Sequence, residues 1–268
     1  MSELVVYKSI LVAIFLVGVF VAERLSPAVT APKESVYGSR IRKNLGLWLC
    51  NSLVSPLVIL PITMYAVSYG ETFGVVWRGE QVDEWVLMLI DLAILDCWIY
   101  WWHRANHRIP VLWRFHRIHH LDRWLDVTSA VRFHLGELVL SALARAVLII
   151  CLGIPLLTVI IFETLVLMAA GFHHSNIRMP SVVEGLLSKI IITPSIHWVH
   201  HHVVQLDTDS NYGTLLSVWD RLFGSQSQNR RSDKMKIGLD GLSDLSFIQL
   251  LMVPFRNVKG LGGGDDSQ

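Results

Sequence analysis

The stretch LVLSALARAVLIICLGIPLLTVIIFETLVLMAAG, residues 138–171, is a 34-residue run that is almost entirely apolar. The Gly153-Ile154-Pro155 tripeptide interrupts it near the middle. A helix needs about 20 apolar residues to cross the hydrocarbon core of a bilayer, with a usual range of about 17–25. Glycine and proline together mark a turn. The run therefore predicts a helical hairpin that enters the membrane and returns to the side it left.

Three further apolar runs precede the hairpin. Residues 4–22 are broken only by Lys8 and Ser9, residues 45–70 carry no charge, and residues 85–102 are apolar except for two aspartates. The whole chain is 52% apolar and only 17% charged, and its mean hydropathy is +0.46. We therefore predict an all-α, multi-pass integral membrane protein with three single spans and the hairpin. A signal peptide is the alternative for the first run, but its length and the acidic Glu3 favour an anchoring helix.

The basic residues are distributed unevenly between the connections. The first connection holds five of them: Arg24, Lys33, Arg40, Arg42 and Lys43. The second connection holds only Arg78. By the positive-inside rule the first connection is cytoplasmic. The third span then returns the chain to the cytoplasmic side, and the hairpin leaves that side and comes back to it. We expect the inner membrane of a bacterium, or the endoplasmic reticulum membrane of a eukaryote, with a helical cap on the cytoplasmic face.

Composition excludes several other classes. A net charge of +1 gives no reason to expect a nucleic-acid partner, and three scattered cysteines without a CxxC pair encode neither a disulfide framework nor an iron–sulfur cluster. No linker divides the chain, so residues 1–268 are predicted to form a single domain. The glycine- and aspartate-rich residues 256–268 are predicted to be a loose tail.

All twelve histidines lie between His103 and His202. His103 and His107 are four residues apart, and WRFHRIHH (113–120) repeats its HxxHH rhythm in SIHWVHHH (195–202). Residues three or four apart share one face of a helix, so we expect the imidazoles of each box to converge on one point. Neutral imidazole binds iron, zinc, copper or nickel, and eight such ligands exceed what one tetrahedral ion can use. The pattern predicts a histidine-rich centre for two metal ions. A metal-binding or metal-transport membrane protein without redox chemistry is the alternative.

The boxes also carry a family resemblance. LDCWIYWWHRANHRIPVLWRFHRIHH (95–120) resembles the first histidine boxes of the fatty acid hydroxylase/sterol desaturase superfamily of membrane oxygenases. TSAVRFHLGE (128–137), FHHSNIRMP (172–180), TPSIHWVHHH (193–202), DSNYG (209–213) and WDRLFGS (219–225) resemble its later blocks in order. The resemblance places the catalytic motifs within residues 96–225.

The resemblance implies two iron ions, O2 as co-substrate, and hydroxylation or desaturation of a lipid C–H bond. It implies these metal ligands: His103, His107, His116, His119, His120, His134, His174, His197, His200 and His201. Leu135 stands where the family usually has proline after the histidine. His173 and His202 are extra, and we interpret them as supporting or solvent-facing. No flavin, nicotinamide or haem motif is present, so a ferredoxin, or a cytochrome b5-like carrier with its reductase, is expected to supply electrons. Basic residues near the boxes, Arg104, Arg108, Arg114, Arg117 and Arg123, could dock such a carrier or lipid headgroups; solvated surface charges are the alternative.

Other polar residues near the boxes are candidates for orienting the ligands. Asp96 is the first, and its alternative role is hydration of the helix end. The others are Asn176, Asp209, Asn211, Glu137 and Asp207, although Asn211-Tyr212-Gly213 could equally be a plain turn. Arg145 and Glu163 are equally far from the centre of the hairpin, so we predict that they form an ion pair within the membrane.

Overall fold

The structure is a computed structural model that describes residues 2–31, 33–73, 82–240 and 245–256. Within them the chain is helical, with three isolated β-bridges and no strand. The helices are α1 (Ser2–Leu25), α2 (Glu34–Phe73), α3 (Glu84–Arg108), α4 (Pro110–His120), α5 (Leu135–Leu152), α6 (Leu156–His174), α7 (Ser181–Leu187), α8 (Pro194–His200), α9 (Gln205–Thr208), α10 (Val218–Leu222) and α11 (Phe247–Met252).

Five of the described helices, α1, α2, α3, α5 and α6, are long and apolar enough to cross a membrane. They correspond to the three predicted spans and the two arms of the hairpin, so the all-α, multi-pass prediction is confirmed. The predicted loose tail lies outside the described residues except for Arg256, and so does Arg78.

The hairpin turns where the sequence predicted it. Gly153 adopts a left-handed conformation (φ 61°) and its N–H donates to the carbonyl of Ile149, which closes α5. Pro155 then precedes the first residue of α6, where its fixed φ suits a helix start. The two arms are antiparallel, and Arg145 Nη2 donates to Glu163 Oε1 at 2.9 Å. The predicted ion pair is confirmed.

Helix α2 begins eleven residues before the predicted span. Its added first turns carry Arg40 and Asn44, which are buried against the connection after α4. Arg40 donates to Asp122 at 2.8 Å and also to Asp126, while Asn44 donates to Asp122 at 3.1 Å. An apolar-run rule cannot detect this extension because tertiary ion pairs stabilise it.

The polar connections lie at one end of the spanning helices. The backbone N–H of Asn176, just after α6, donates to Glu23 near the end of α1, at 3.0 Å. Arg40, near the start of α2, contacts the connection between α4 and α5. The end of α3, both ends of the hairpin and the short helices α4 and α7 to α11 share this side. They form the cap in which the histidines lie.

Candidate metal centre

Nine histidines converge in the cap as two adjacent groups. In each group the ring nitrogens that could bind a metal lie within 4.8 Å of one another. The first histidine group is His103, His107, His116, His120 and His200. The second histidine group is His119, His174, His197 and His201. The groups touch, since the rings of His120 and His201 stack with their centroids 4.3 Å apart.

Each HxxHH box divides between the two groups, which corrects the expectation that each box converges on one point. His116 and His120 belong to the first group while His119 belongs to the second. In the other box the i, i+4 pair enters the second group and His200 enters the first. Successive helical residues are about 100° apart around the axis, so neighbouring histidines point towards neighbouring centres. Two boxes with this spacing therefore suit two adjacent metal ions that each take ligands from both boxes. They suit less well two separate sites that are each built from one box.

Backbone carbonyls fix the orientation of three rings. Nδ1 of His103 lies 2.9 Å from the carbonyl of Tyr212, Nδ1 of His174 lies 2.8 Å from that of Ala170, and Nδ1 of His200 lies 2.6 Å from that of Ser210. A carbonyl only accepts, so Nδ1 must carry the proton in each ring. In a neutral imidazole Nε2 is then a bare acceptor, which is the state a metal requires.

A carboxylate does the same for His116. Its Nδ1 lies 2.7 Å from Oε1 of Glu137, in the first turn of α5, and both side chains are buried. Nε2 of His116 has no hydrogen-bond partner among the described residues. The prediction that Glu137 accepts from an imidazole N–H is confirmed.

The environment of the cluster keeps the rings neutral. Burial is the main cause that holds the pKa of His119, His120, His197 and His201 well below its ordinary value, and neighbouring imidazoles lower the pKa further. Burial lowers the pKa of His200 to about 3. Protonated rings this close would repel one another in a medium of low dielectric. The lone pairs therefore remain available for a metal at neutral pH.

The second group is too crowded to be satisfied by hydrogen bonds alone. Nε2 of His174 lies 2.9 Å from Nε2 of both His119 and His197, and Nε2 of His201 lies 3.1 Å from that of His197. The bare Nε2 of His174 has one lone pair and can accept only one proton. In the first group, buried ring nitrogens of all five histidines have no partner among the described residues. These orphaned atoms are what a pair of cations would satisfy, so the donor set fits two metal ions.

His134 lies outside both groups, contrary to its assignment as a ligand. Its Nδ1 accepts from the backbone N–H of Gly136 at 2.9 Å, which caps the start of α5. Its Nε2 lies 3.2 Å from the carbonyl of Leu251. Both nitrogens are occupied by contacts that fix the local fold, and a capping role explains why a histidine precedes this helix.

Asp96 and Asn176 contact backbone segments rather than histidines, which corrects their assignment as ligand-orienting residues. Asp96 accepts from the backbone N–H groups of Leu215 and Leu216 and from the indole of Trp219, at 2.7–3.2 Å. Asn176 donates to and accepts from the backbone of Val29. Asp96 anchors the connection before α10 to the spanning helix α3, and Asn176 joins the connections that follow α6 and α1.

Asp209 and Asn211 differ from each other in their contacts. Oδ1 of Asp209 lies 3.7 Å from Nδ1 of His107, beyond hydrogen-bond distance but close enough for an electrostatic contact. Asn211 instead adopts a left-handed conformation (φ 53°), and its side chain bonds the carbonyl of Ile196 and the N–H of Ser227. Its side chain therefore stabilises a turn beside α8, as the alternative interpretation proposed.

The two extra histidines have separate surroundings. His173 is buried, and its ring centroid lies 4.1 Å from that of His197, so it packs against the second group. His202 bonds Asp207 at 2.7 Å and does not enter either group. The carbonyls of Ala170, Ser210 and Tyr212 were not predicted, because a backbone acceptor leaves no signal in the sequence.

A cavity of about 640 Å³ leads from the histidines into the spanning helices. At the cap its wall includes His103, His116 and His174. Apolar side chains such as Phe162 and Leu167 line its course. At the far end the wall includes these three charged residues: Lys8, Arg145 and Glu163. The volume is within the range of small-molecule sites, and the lining can accept an apolar molecule that reaches the histidines.

Comparison with known proteins gives consistent matches. The fatty acid hydroxylase family model matches residues 88–225. An ornithine lipid hydroxylase of Rhizobium tropici is 29% identical over 203 residues, which cover 75% of this chain and 58% of that protein. An alkylglycerol monooxygenase of Danio rerio is 28% identical over 65% of this chain and 38% of its own length. A lathosterol oxidase of Mus musculus is 26% identical over 66% of this chain and 56% of its own length. The chain thus spans about half the length of these curated relatives. No solved structure matches the chain.

Proposed function

The chain belongs to the fatty acid hydroxylase family, and we propose that it is a membrane-bound oxygenase that hydroxylates or desaturates a lipid C–H bond with O2. The observation that carries this proposal is the pair of adjacent histidine groups at the end of a largely apolar cavity. Metal transporters hold their ions near the bilayer midplane at broken helices. Here the histidines lie at helix ends in the cap, which favours the enzyme.

In this proposal the first histidine group holds one iron ion and the second holds the other. When bound, the two irons supply the redox capacity to activate O2 for attack on an unactivated C–H bond. Burial lowers the pKa of the imidazoles of His119, His120, His197, His200 and His201. Acceptors on Nδ1 aim the Nε2 atoms of His103, His116, His174 and His200. Such acceptors typically change metal affinity or activity about 10–100-fold.

The protein also positions the substrate and excludes water from it. The cavity wall removes the substrate from bulk water, and its apolar course orients a lipid chain so that one segment lies beside the histidines. The names of all three relatives above describe oxidising enzymes for lipids, which supports a lipid as the substrate class.

Electrons come from an external carrier in this proposal, either a ferredoxin or a cytochrome b5-like protein with its reductase. The exposed Arg108 and Arg123 could attract an acidic carrier to the cap. Arg117 is unsuitable for that role because it is buried and donates to the carbonyl of Val253 at 2.6 Å. We further propose that the cap faces the cytoplasm, because the first connection, on the cap side, carries more basic residues than the second.

The test combines metal replacement with lipid analysis. Protein purified in neutral detergent is stripped of metal without oxygen, then loaded with Fe²⁺ or with Zn²⁺ as the matched control, and supplied with an electron donor, O2 and lipids from host membranes. We expect a lipid that gains one oxygen atom or loses two hydrogen atoms in the iron sample alone. The same products from the zinc sample, or tight binding of one metal ion per chain, would contradict the proposal.

A further inference from the structure

The deep end of the cavity holds a charged cluster formed by three spanning helices. Lys8 Nζ of α1 donates to Oε2 of Glu163 at 2.9 Å, and Arg145 Nη2 of α5 donates to Oε1 of the same carboxylate at 2.9 Å. The Arg145–Glu163 pair was predicted from the hairpin, whereas Lys8 adds a second cation. Among the described residues at this end of the cavity, two cations face one carboxylate, which gives an excess of one positive charge.

The cluster lies far from the histidines and deep in the membrane. Glu163 precedes His174 by eleven residues on α6, a rise of about 16 Å. Half the thickness of the hydrocarbon core is about 15 Å. Charges at such a depth are costly and usually face a cavity or a partner. The excess positive charge of the cluster therefore requires a functional explanation.

The cations retain capacity to bind a ligand. Nε of Arg145 is buried without a hydrogen-bond partner among the described residues. The side chains of Lys8 and Glu163 are 22% and 29% exposed, and all three residues line the cavity. Among the described residues of the cavity wall there is one other carboxylate, Glu137, which lies at the cap end and is bonded to His116. The hydroxyls of Ser52, Ser55 and Ser141 also line the cavity and could solvate a polar group that moves along it.

We propose that Lys8 and Arg145, bridged by Glu163, form an anion site that holds the acid group of an amphiphilic substrate at the deep end of the cavity. The apolar body of the substrate then runs towards the histidines, so oxidation falls on a C–H bond about 16 Å from the acid group. This inference rests on the proposed lipid oxygenase and adds its substrate class and orientation. The acid group is a carboxylate or a phosphate, since both accept hydrogen bonds from lysine and arginine.

The test measures binding without turnover, so that its outcome does not depend on the oxygenase chemistry. Full-length, metal-loaded protein in uncharged detergent is titrated without reductant at mildly alkaline pH. The probes are oleate against methyl oleate, and oleoyl lysophosphatidic acid against monooleoylglycerol. A hydrogen bond to a charged group contributes about 1.5–3 kcal/mol, so we expect an acid to bind at least about tenfold tighter than its neutral partner. The pair with the larger ratio identifies carboxylate or phosphate.

Three variants separate an anion site from a structural ion cluster. Lys8→Met keeps the Arg145–Glu163 pair but removes the excess charge, and we expect it to lower the ratio of acid to neutral affinity to about one. Glu163→Gln increases the local positive charge, and we expect the ratio to rise, which general destabilisation would not produce. Arg42→Met removes an exposed cation of α2 outside the cavity and should leave the ratio unchanged.

No preference for either acid in the unchanged protein would overturn the anion site, and so would a preference that Lys8→Met leaves intact. Should one variant fail to fold, the other still decides, because their expected shifts have opposite signs. Absence of the preference in the unchanged protein, while the iron-loaded protein still oxidises a lipid, would reject the anion site alone. Retention of the preference without any oxidation would reject the proposed function alone.

Discussion

At the scale of single residues, the proton on one nitrogen of each imidazole decides whether the ring can bind a metal. His103, His174 and His200 have this proton fixed by backbone carbonyls that no substitution removes. His116 depends on a side chain, Glu137, and is the one ring of these four whose orientation can be tested by mutation.

Replacing Glu137 tests this dependence. Glu137→Leu removes the acceptor for His116 Nδ1, and we expect metal affinity to fall about 10–100-fold, as is typical when such acceptors are lost. Glu137→Gln keeps an acceptor oxygen but no charge, so we expect a smaller fall in metal affinity for this variant. Affinity is measured by competition with a chelator.

Asp96→Asn is the matched control for Glu137, because Asp96 is a buried carboxylate whose observed partners are not histidines. It should lower the melting temperature without changing metal affinity. Equal affinities for Glu137→Leu and the unchanged protein would show that the carboxylate does not support the metal.

Two histidines from the predicted ligand set are expected to behave differently. His174→Gln should halve the metal content, because His174 lies within hydrogen-bond distance of two ring nitrogens in the second group. His134→Gln should keep the full metal content and lose about 0.5–2 kcal/mol of stability, the usual range for a lost helix cap. Elemental analysis together with thermal unfolding distinguishes the two. Metal loss in both variants would return His134 to the ligand set.

At the scale of elements, the sequence predicts which helices exist better than where they contact each other. The glycine–proline break predicted the hairpin. The equal distances of Arg145 and Glu163 from its centre predicted the ion pair. The HxxHH rhythm predicted a two-metal cluster but not that each box divides, because spacing fixes the angle between rings and not the direction of the partner helix. The first turns of α2 were missed because Arg40 and Asn44 are stabilised by residues about eighty positions away.

The site shows the same limit. His134 matched a ligand block, yet in the structure it caps α5, and a sequence motif does not distinguish a cap from a ligand. Asp96 was predicted to orient a histidine because it is an ionisable residue inside a span. Its partners are instead backbone N–H groups of a later connection. Such contacts depend on the path of the chain and leave no periodic pattern.

Helix α2 packs closely on α5 through Gly70. A Cβ added there would lie 2.8 Å from the carbonyl oxygen of Ile149, so Gly70→Ala must push the two helices apart. Gly18→Ala on α1 is the matched control, because a Cβ there meets nothing within 4 Å. Alanine is otherwise favoured over glycine in a helix by about 0.5–1 kcal/mol. We expect the melting temperature in detergent to fall for Gly70→Ala and to hold or rise for Gly18→Ala. A rise in both would mean that the close contact is absent.

At the scale of the whole molecule, the five spanning helices alternate in direction so that all polar connections carrying histidines lie at one side. The first connection joins this side through Glu23 and Asn176. Arg24 and Arg40 of this connection form ion pairs, Arg24 with Glu23 and Arg40 with Asp122. These pairs do not weaken the orientation argument, because acidic residues contribute little to the positive-inside rule.

Thiol labelling tests this orientation directly. Cys50, Cys97 and Cys151 are first replaced by serine, and a single cysteine is then introduced at an exposed position on each side. Glu71→Cys lies at the end of α2 that faces away from the cap, and Ser181→Cys lies at the start of α7 within the cap. With the cap in the cytoplasm, a membrane-impermeant maleimide should label intact cells at position 71 only. Position 181 should react only after permeabilisation, because the reagent cannot cross the bilayer to the cap. The reverse pattern would place the histidines, and with them the proposed docking face for an electron carrier, on the outer side. Labelling of both positions in intact cells would contradict the five-span arrangement itself, since three spanning helices, α3, α5 and α6, separate position 71 from position 181.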